Sequence, residues 1–405
     1  MQDSSSPFNL HESSYRWVIM ALAATSFILA FVSRFAWPPL ITVVMPIMDI
    51  TRAQALAYMS AFYIGYVATQ IPGGILADRF GPRLVLSSAL MLQGLGTLGI
   101  GMTENYQVGF ALRIVCGLGA GCVYSSCLKS VVTWFTPTQR AMAIGVVMTA
   151  PTIGIAIPNF VMPMLNESMG WQGAFRSVGW AIVILSVILF VMMKDIKTTA
   201  AGPRKSFMVG LKYVCSNRNI LLISLTGFCS VWCQIGFGSM ANPYLVNELG
   251  FSVPEAGRVM MIYGLVGILM PTVAGILCAK YPDKKKIMVI ICHVAMMVAF
   301  LAFGMVSGAL AVLVVACCIG LLMSYANPVY SVIIAENAGP EWTATAGGVG
   351  NAIFQIGALL SPIVIGIAAD ARGDFGWSWW ILAGGAIVGA IFAALLVKRN
   401  PDEIK

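Results

Sequence analysis

Apolar runs of about twenty residues follow one another along nearly the whole of this 405-residue chain, with only short polar connections between them. A helix of that length matches the hydrocarbon core of a bilayer. Composition agrees: 59% of residues are hydrophobic and 10% charged, against roughly 25% charged in an ordinary soluble domain. With a mean hydropathy of +0.86, the chain cannot coat itself with water-compatible side chains. The lipid bilayer is its solvent.

The runs predict about twelve transmembrane helices, over Trp17–Leu40, Leu56–Ala77, Leu84–Met102, Val108–Val131, Ala141–Met164 and Phe175–Met193, then Ile220–Val246, Ala256–Ala279, Ile287–Val306, Ala309–Ile334, Thr343–Ala369 and Trp377–Val397. The longest break in hydropathy carries Lys197, Arg204, Lys205, Lys212 and Arg218. It divides the chain into a six-helix bundle over 1–194, a basic linker over 195–219 and a second six-helix bundle over 220–405. The expected fold class is therefore an all-α membrane protein of two related bundles.

The net charge of +8 is no sign of nucleic-acid binding, because Lys and Arg sit in short loops between apolar runs. One face collects Arg79, Arg83, Lys129, Arg140, the linker cluster, Lys280, Lys284, Lys285, Lys286, Lys398 and Arg399. The other keeps Arg52, Arg176, Arg258 and Arg372. Positive loops stay in the cytoplasm, so both termini are expected there, with the chain in the cell's inner (plasma) membrane. Residues 1–15 are polar without a basic start, so the first span is expected to serve as its own insertion signal. The ten cysteines are scattered, with no CxxC pair and no metal-like His/Cys cluster, and read as small apolar packing residues. No nucleophile–base pair, metal spacing or phosphate loop appears, so neither catalysis nor a cofactor is expected.

The two halves repeat each other. GILADRFGPR at 74–83 is echoed by GILCAKYPDK at 275–284, and PTQRAMAIG at 137–145 by PEWTATAGG at 340–348. Duplicated six-helix units are what alternating-access transporters are made from, with substrate held where the halves meet.

The segment 74–83 resembles the loop signature between helices two and three of the major facilitator superfamily. RIVCGLGAG at 113–121 is similar to that family's fourth-helix motif, and Gly145, Pro151 and Gly154 to its fifth-helix glycine–proline motif. The resemblance implies two bundles that rock about a central cavity. It also implies a gating role for Asp78, Arg79, Arg83 and Arg140, with Asp78 near Arg140 and the start of helix eleven around Thr343. The second copy has Ala279 where Asp78 stands. In the fifth helix, Gly145, Pro151, Gly154 and Pro158 suit either a hinge or close packing.

Charge inside a span is costly and marks function. Two arginines qualify, Arg34 and Arg113, and every acidic residue falls near a span end. A guanidinium in a cavity with no acidic neighbour asks for an anion, whose carboxylate or sulfonate its fork fits bidentately. Arg34 is the candidate substrate contact; the other reading puts it at the interface, satisfied by water and lipid phosphate. Arg113 is assigned a structural or coupling role. An arginine in helix one resembles the anion–cation symporter branch, where an Asp commonly precedes it; here Ser33 takes that place, which puts proton coupling by that branch's route in doubt and leaves anion exchange or facilitated diffusion. The segments around Trp134–Arg140 and GWQGAF at 170–175 are similar to that branch and to the oxalate/formate and monocarboxylate groups. His293 is a titratable alternative or a packed polar residue.

Polar side chains expected at the cavity are Tyr63, Tyr66 and Gln70, which share a helical face, with Tyr124, Asn159, Gln234, Tyr325, Asn327, Tyr330, Asn351 and Gln355. The leading expectation is a monomeric carrier of small organic anions such as mono- or dicarboxylates, without nucleic-acid partners. The alternative is a proton-coupled exporter of neutral or cationic compounds, which an acidic residue within the spans would favour.

Overall fold

The structure is a computed structural model that describes residues 14–195 and 207–397. Lys197, Arg204, Lys205, Lys398 and Arg399 lie outside the described residues. All regular structure among the described residues is helical, and ten helical stretches are long and apolar enough to cross a membrane.

The first half runs α1 (Tyr15–Phe35), a 3-10 turn at Pro38–Leu40, α2 (Ile41–Met48), α3 (Arg52–Phe80), α4 (Pro82–Ile100), α5 (Tyr106–Ala120), α6 (Val123–Trp134), α7 (Pro137–Val147) and α8 (Ala150–Met192). The second runs α9 (Phe207–Ser216), α10 (Arg218–Asn247), α11 (Val253–Val266), α12 (Met270–Lys280), α13 (Lys285–Phe303), α14 (Ala309–Arg372) and α15 (Gly376–Ala394).

Several expected spans are longer than their apolar cores because side-chain caps extend them into the polar connections. Thr51 accepts from the Gln54 amide at 3.2 Å while Gln54 accepts from the Thr51 amide at 2.9 Å, so α3 starts at Arg52 rather than Leu56. Ser252 and Glu255 cap α11 in the same way. Other spans are broken where proline removes a donor: Pro38 and Pro39 end α1, and Pro151 follows the gap between α7 and α8.

Two helices reverse direction with no loop at all. At Gly170 (φ 72°, ψ 168°) within α8 and Gly339 (φ 71°, ψ 170°) within α14, the backbone takes a conformation that essentially only glycine adopts. Each splits one long helix into two.

Close helix crossings build the first half. A Cβ on Gly117 would lie 1.9 Å from the Phe62 carbonyl, one on Gly119 2.3 Å from the Ala89 carbonyl, and one on Gly121 2.3 Å from Thr69 Oγ1. The alternate glycines of the fourth-helix motif thus seat α5 at backbone contact with both α3 and α4. Small residues permit such approaches where lipid gives no hydrophobic drive between helices. In the fifth helix, a Cβ on Gly154 would lie 2.3 Å from Phe31 Cβ, whereas one on Gly145 would meet nothing within 4 Å. Packing explains the first and not the second.

The helices before and after the linker meet through α3 against α14 and α8 against α11. Hydrogen bonds joining them lie toward the end opposite Arg79 and Arg83: Asn242 Nδ2 donates to Asn159 Oδ1 at 2.8 Å, and the Ala53 amide to Asp370 Oδ2 at 3.2 Å. There too, a Cβ on Gly257 would lie 2.2 Å from the Asn159 carbonyl.

Replacing Gly117 by Leu is expected to force α3 and α5 apart and to destabilise by about 1–3 kcal/mol or more, the range for overpacking. Gly145→Leu is expected to stay within about 0.5 kcal/mol. Thermal unfolding in detergent compares the two; equal losses would contradict the packing account.

Candidate functional site

Arg34 occupies the last turn of α1, 5% exposed. Its guanidinium carbon lies 4.3 Å from the Phe31 ring centroid, 4.5 Å from Tyr66, 5.1 Å from Phe62 and 5.5 Å from Tyr63. Four aromatic faces therefore surround the charge, an arrangement that attracts a cation through the ring quadrupoles. Rings supply no hydrogen-bond acceptor in the guanidinium plane. Arg34 Nε is buried without a hydrogen-bond partner, and no carboxylate among the described residues pairs with Arg34.

Arg113 is the opposite case. It is fully buried, yet its donors are spent: Nε on the Tyr58 carbonyl at 3.2 Å, Nη1 on the Ser33 carbonyl at 3.1 Å, and Nη2 on the Arg34 carbonyl at 3.0 Å. The last two carbonyls belong to the final turn of α1, which orphans its acceptors and carries the negative end of the helix dipole. In a continuous helix the Arg34 carbonyl would accept from residue 38, but Pro38 has no N–H. Arg113 supplies the missing donor and so fixes the backbone from which Arg34 projects. Ser33 Oγ bonds Thr97 Oγ1 at 2.8 Å, and Trp37 Nε1 donates to the Ala55 carbonyl at 2.7 Å while stacking on Tyr58 at 4.4 Å, completing the brace.

The other expected cavity residues divide. Tyr63 and Tyr66 belong to the box around Arg34. Tyr63 Oη and, one helical turn beyond Tyr66, Gln70 Oε1 are buried with no hydrogen-bond partner. Tyr124 packs on Phe27, which packs on Phe31, joining it to the same aromatic group. In the second half, Gln234, Asn327, Asn351 and Gln355 are half-buried, with Gln355 Nε2 donating to Asn351 Oδ1 at 3.4 Å. Asn159 is engaged between the halves, with its Nδ2 on the Ile155 carbonyl and its Oδ1 on Asn242. Tyr330 is fully buried against His293, whose Nδ1 lies 3.0 Å from the Val289 carbonyl and Nε2 3.4 Å from Tyr330 Oη. Tyr325 stands apart, lining an apolar groove of about 350 Å³ with Met270, Met288, Ile291, Cys292, Leu321 and Leu322. Two residues from Asn327, it lies about 200° around the helix from it.

At the basic end, Asp78 pairs with Lys129 at 3.2 Å, and Lys129 also donates to the Ala77 carbonyl at 2.7 Å. Arg83 ties α4 to the end of α8, its amide on Asp195 Oδ1 at 2.9 Å and its Nε on the Phe190 carbonyl at 2.7 Å. Arg140 Nε donates to the Phe135 carbonyl at 3.1 Å, and Arg79 lies over Phe80. The second half has its own pair there, Lys285 with Glu336. Its polarity is inverted relative to Asp78 and Lys129.

Sequence reading missed Phe31, Phe62, Trp37 and Asn242. Phe31 was open to discovery, one turn before Arg34 on the same face; Phe62 and Asn242 depend on which helices meet.

The sequence profile of the Major Facilitator Superfamily matches residues 22–362. A protein of Cupriavidus necator named "Probable sulfoacetate transporter SauU" is 22% identical, over 96% of this chain and 96% of its own length. The hexuronate transporter of Bacillus subtilis is 23% identical, over 87% of this chain and 86% of its own. Among solved structures, a bacterial homolog of the human lysosomal transporter Spinster, in an inward-facing and occupied conformation, superposes with a TM-score of 0.83 at 15% identity, covering 95% of this chain and 97% of that one. With its helical architecture, duplicated motifs and a matching profile over most of its length, the chain belongs to the Major Facilitator Superfamily and is a multi-pass membrane transporter, not an enzyme.

Proposed function

We propose that this protein carries small organic anions, carboxylates or sulfonates, across the plasma membrane by alternating access, with Arg34 as the anion contact. One observation carries the reading: a buried guanidinium, boxed by four rings, whose Nε has no hydrogen-bond partner and which no described carboxylate neutralises. An arginine so placed offers its fork to a planar oxyanion. The relatives named for sulfoacetate and hexuronate carry the same class of substrate, which supports the assignment.

Ten apolar stretches, with α8 folded back at Gly170 and α3 added at 29 residues, make twelve spans. Residues 1–194 and 220–405 are then two six-helix bundles about a basic linker at 195–219, with both termini in the cytoplasm by the distribution of Lys and Arg. Tyr63, Tyr66, Gln70 and Tyr124 accompany Arg34 on one wall of the cavity, and Gln234, Asn327, Asn351 and Gln355 face them. Asp78, Arg79, Arg83 and Arg140 belong to the cytoplasmic gate. Asn159 and Asn242 latch the opposite side. A proton-coupled exporter of cations would need a carboxylate within its spans, and the described ones sit at helix ends or in connections.

Arg34→Gln is expected to weaken binding of glucuronate or sulfoacetate by about 2–5 kcal/mol, as when one partner of a buried charge pair is truncated, while thermal unfolding of the empty protein changes little. Arg113→Gln, by contrast, is expected to lower the unfolding temperature itself, since it strands three carbonyls. Unfolding curves with and without each anion check both; anion stabilisation that survives in Arg34→Gln would remove the assignment. Cysteines at 159 and 242 are expected to cross-link and arrest transport until reduced, and undiminished flux through the cross-linked protein would exclude the latch.

A further inference from the structure

Arg34 and Arg113 put two positive charges in one small region, the second bonded to the backbone carbonyl of the first. The side chains gathered on them are Phe31, Phe62, Tyr63 and Tyr66 around Arg34, and Met59 and Phe62 beside Arg113. Cys116 and Thr97 lie close behind. None of them is an Asp or a Glu. Among the described residues, every Asp and Glu lies at or near a helix end or in a connection. Backbone carbonyls compensate Arg113. Around Arg34 the described residues place four aromatic rings, two of them neutral phenols, and no carboxylate, and its Nε has no hydrogen-bond partner.

A carrier that alternates its access must pass through an arrangement closed on both sides. When an anion rides with Arg34, the two charges cancel as the pocket closes. When the pocket is empty, closing it removes what water still reaches a guanidinium that no described carboxylate neutralises, and desolvating an unpaired charge is strongly unfavourable. A carboxylate beside Arg34 would relieve this by taking the anion's place on the return, with protonation switching it out when substrate binds. None of the described carboxylates stands there. The cost therefore falls on the return of the empty carrier and not on the loaded one.

Resting on the anion reading above, we infer that this transporter is an obligate exchanger: it turns over only with an anion bound to Arg34 in each direction, moving one anion in for one out, with no proton carried. Its free-energy source is then the gradient of the counter-transported anion.

The test uses purified full-length protein in liposomes, with radiolabelled D-glucuronate and sulfoacetate as probes. Vesicles are filled either with buffer alone or with the same unlabelled anion, and each anion's effect on thermal unfolding is measured in parallel. Exchange predicts initial uptake faster by at least about tenfold into anion-filled vesicles, each factor of ten being about 1.4 kcal/mol in the barrier to empty return. It also predicts no response to an imposed pH gradient. Equal uptake into both kinds of vesicle overturns exchange and leaves anion transport standing. So does accumulation in buffer-filled vesicles driven by a pH gradient. If neither probe enters either vesicle and neither shifts unfolding, the anion reading falls, and exchange with it.

Discussion

The carbonyls of Ser33 and Arg34 are the acceptors on which the surroundings of Arg34 are built. Pro38 and Pro39 cut the first span short and leave the end of α1 without its usual donors. A helix end buried among apolar side chains must find replacements, because an unsatisfied carbonyl costs about 1–3 kcal/mol. Arg113 supplies them from α5, at 3.1 and 3.0 Å. One buried arginine is thereby satisfied by the backbone of another, and the break in the helix is held at a fixed place. Arg34 gains from this a rigid base and no competing partner.

Arg113 reaches that far only because α5 lies against α3 at backbone distance. Gly65 and Gly117 face each other across the crossing, with Cβ positions that would fall 2.1 Å from the Ile114 carbonyl and 1.9 Å from the Phe62 carbonyl. The same approach brings Phe62, Tyr63 and Tyr66 up to Arg34 from α3. Gly154 does the equivalent on the other side, letting α8 pack on Phe31. Motifs that read as unrelated stretches of glycine and arginine are parts of one construction, in which close helix crossings deliver rings and carbonyls to two guanidinium groups. The rings hold Arg34 by quadrupole attraction and leave its Nε without a hydrogen-bond partner.

Much of this was legible in the sequence where the physics is local or set by the bilayer. Hydropathy located the apolar helices, since a span needs a run of fixed length. It missed the ends, because caps such as Thr51–Gln54 extend helices into polar connections that hydropathy scores as loop. Arg34 stood out because an isolated charge in an apolar run is rare. The shared face of Tyr63, Tyr66 and Gln70 followed from helical spacing. Tyr325, expected with the cavity group, lines a separate apolar groove, because its neighbour Asn327 takes the opposite side of the helix. Asn159, expected at the cavity, is occupied with Asn242. The first was open to helical spacing, which puts residues 325 and 327 on opposite faces; the second depends on which helix lies opposite. The inverted pair Lys285–Glu336 was hidden by Ala279, which suggested that the second half had no counterpart to Asp78.

A structure determined with glucuronate bound, at a resolution that shows the carboxylate, tests the central claim most directly. Carboxylate oxygens are expected on the Arg34 guanidinium, with Tyr63 and Gln70 within hydrogen-bonding reach of the same molecule and Arg113 still on the α1 carbonyls. Glucuronate held elsewhere, with Arg34 paired to a protein carboxylate or a lipid phosphate, would contradict it.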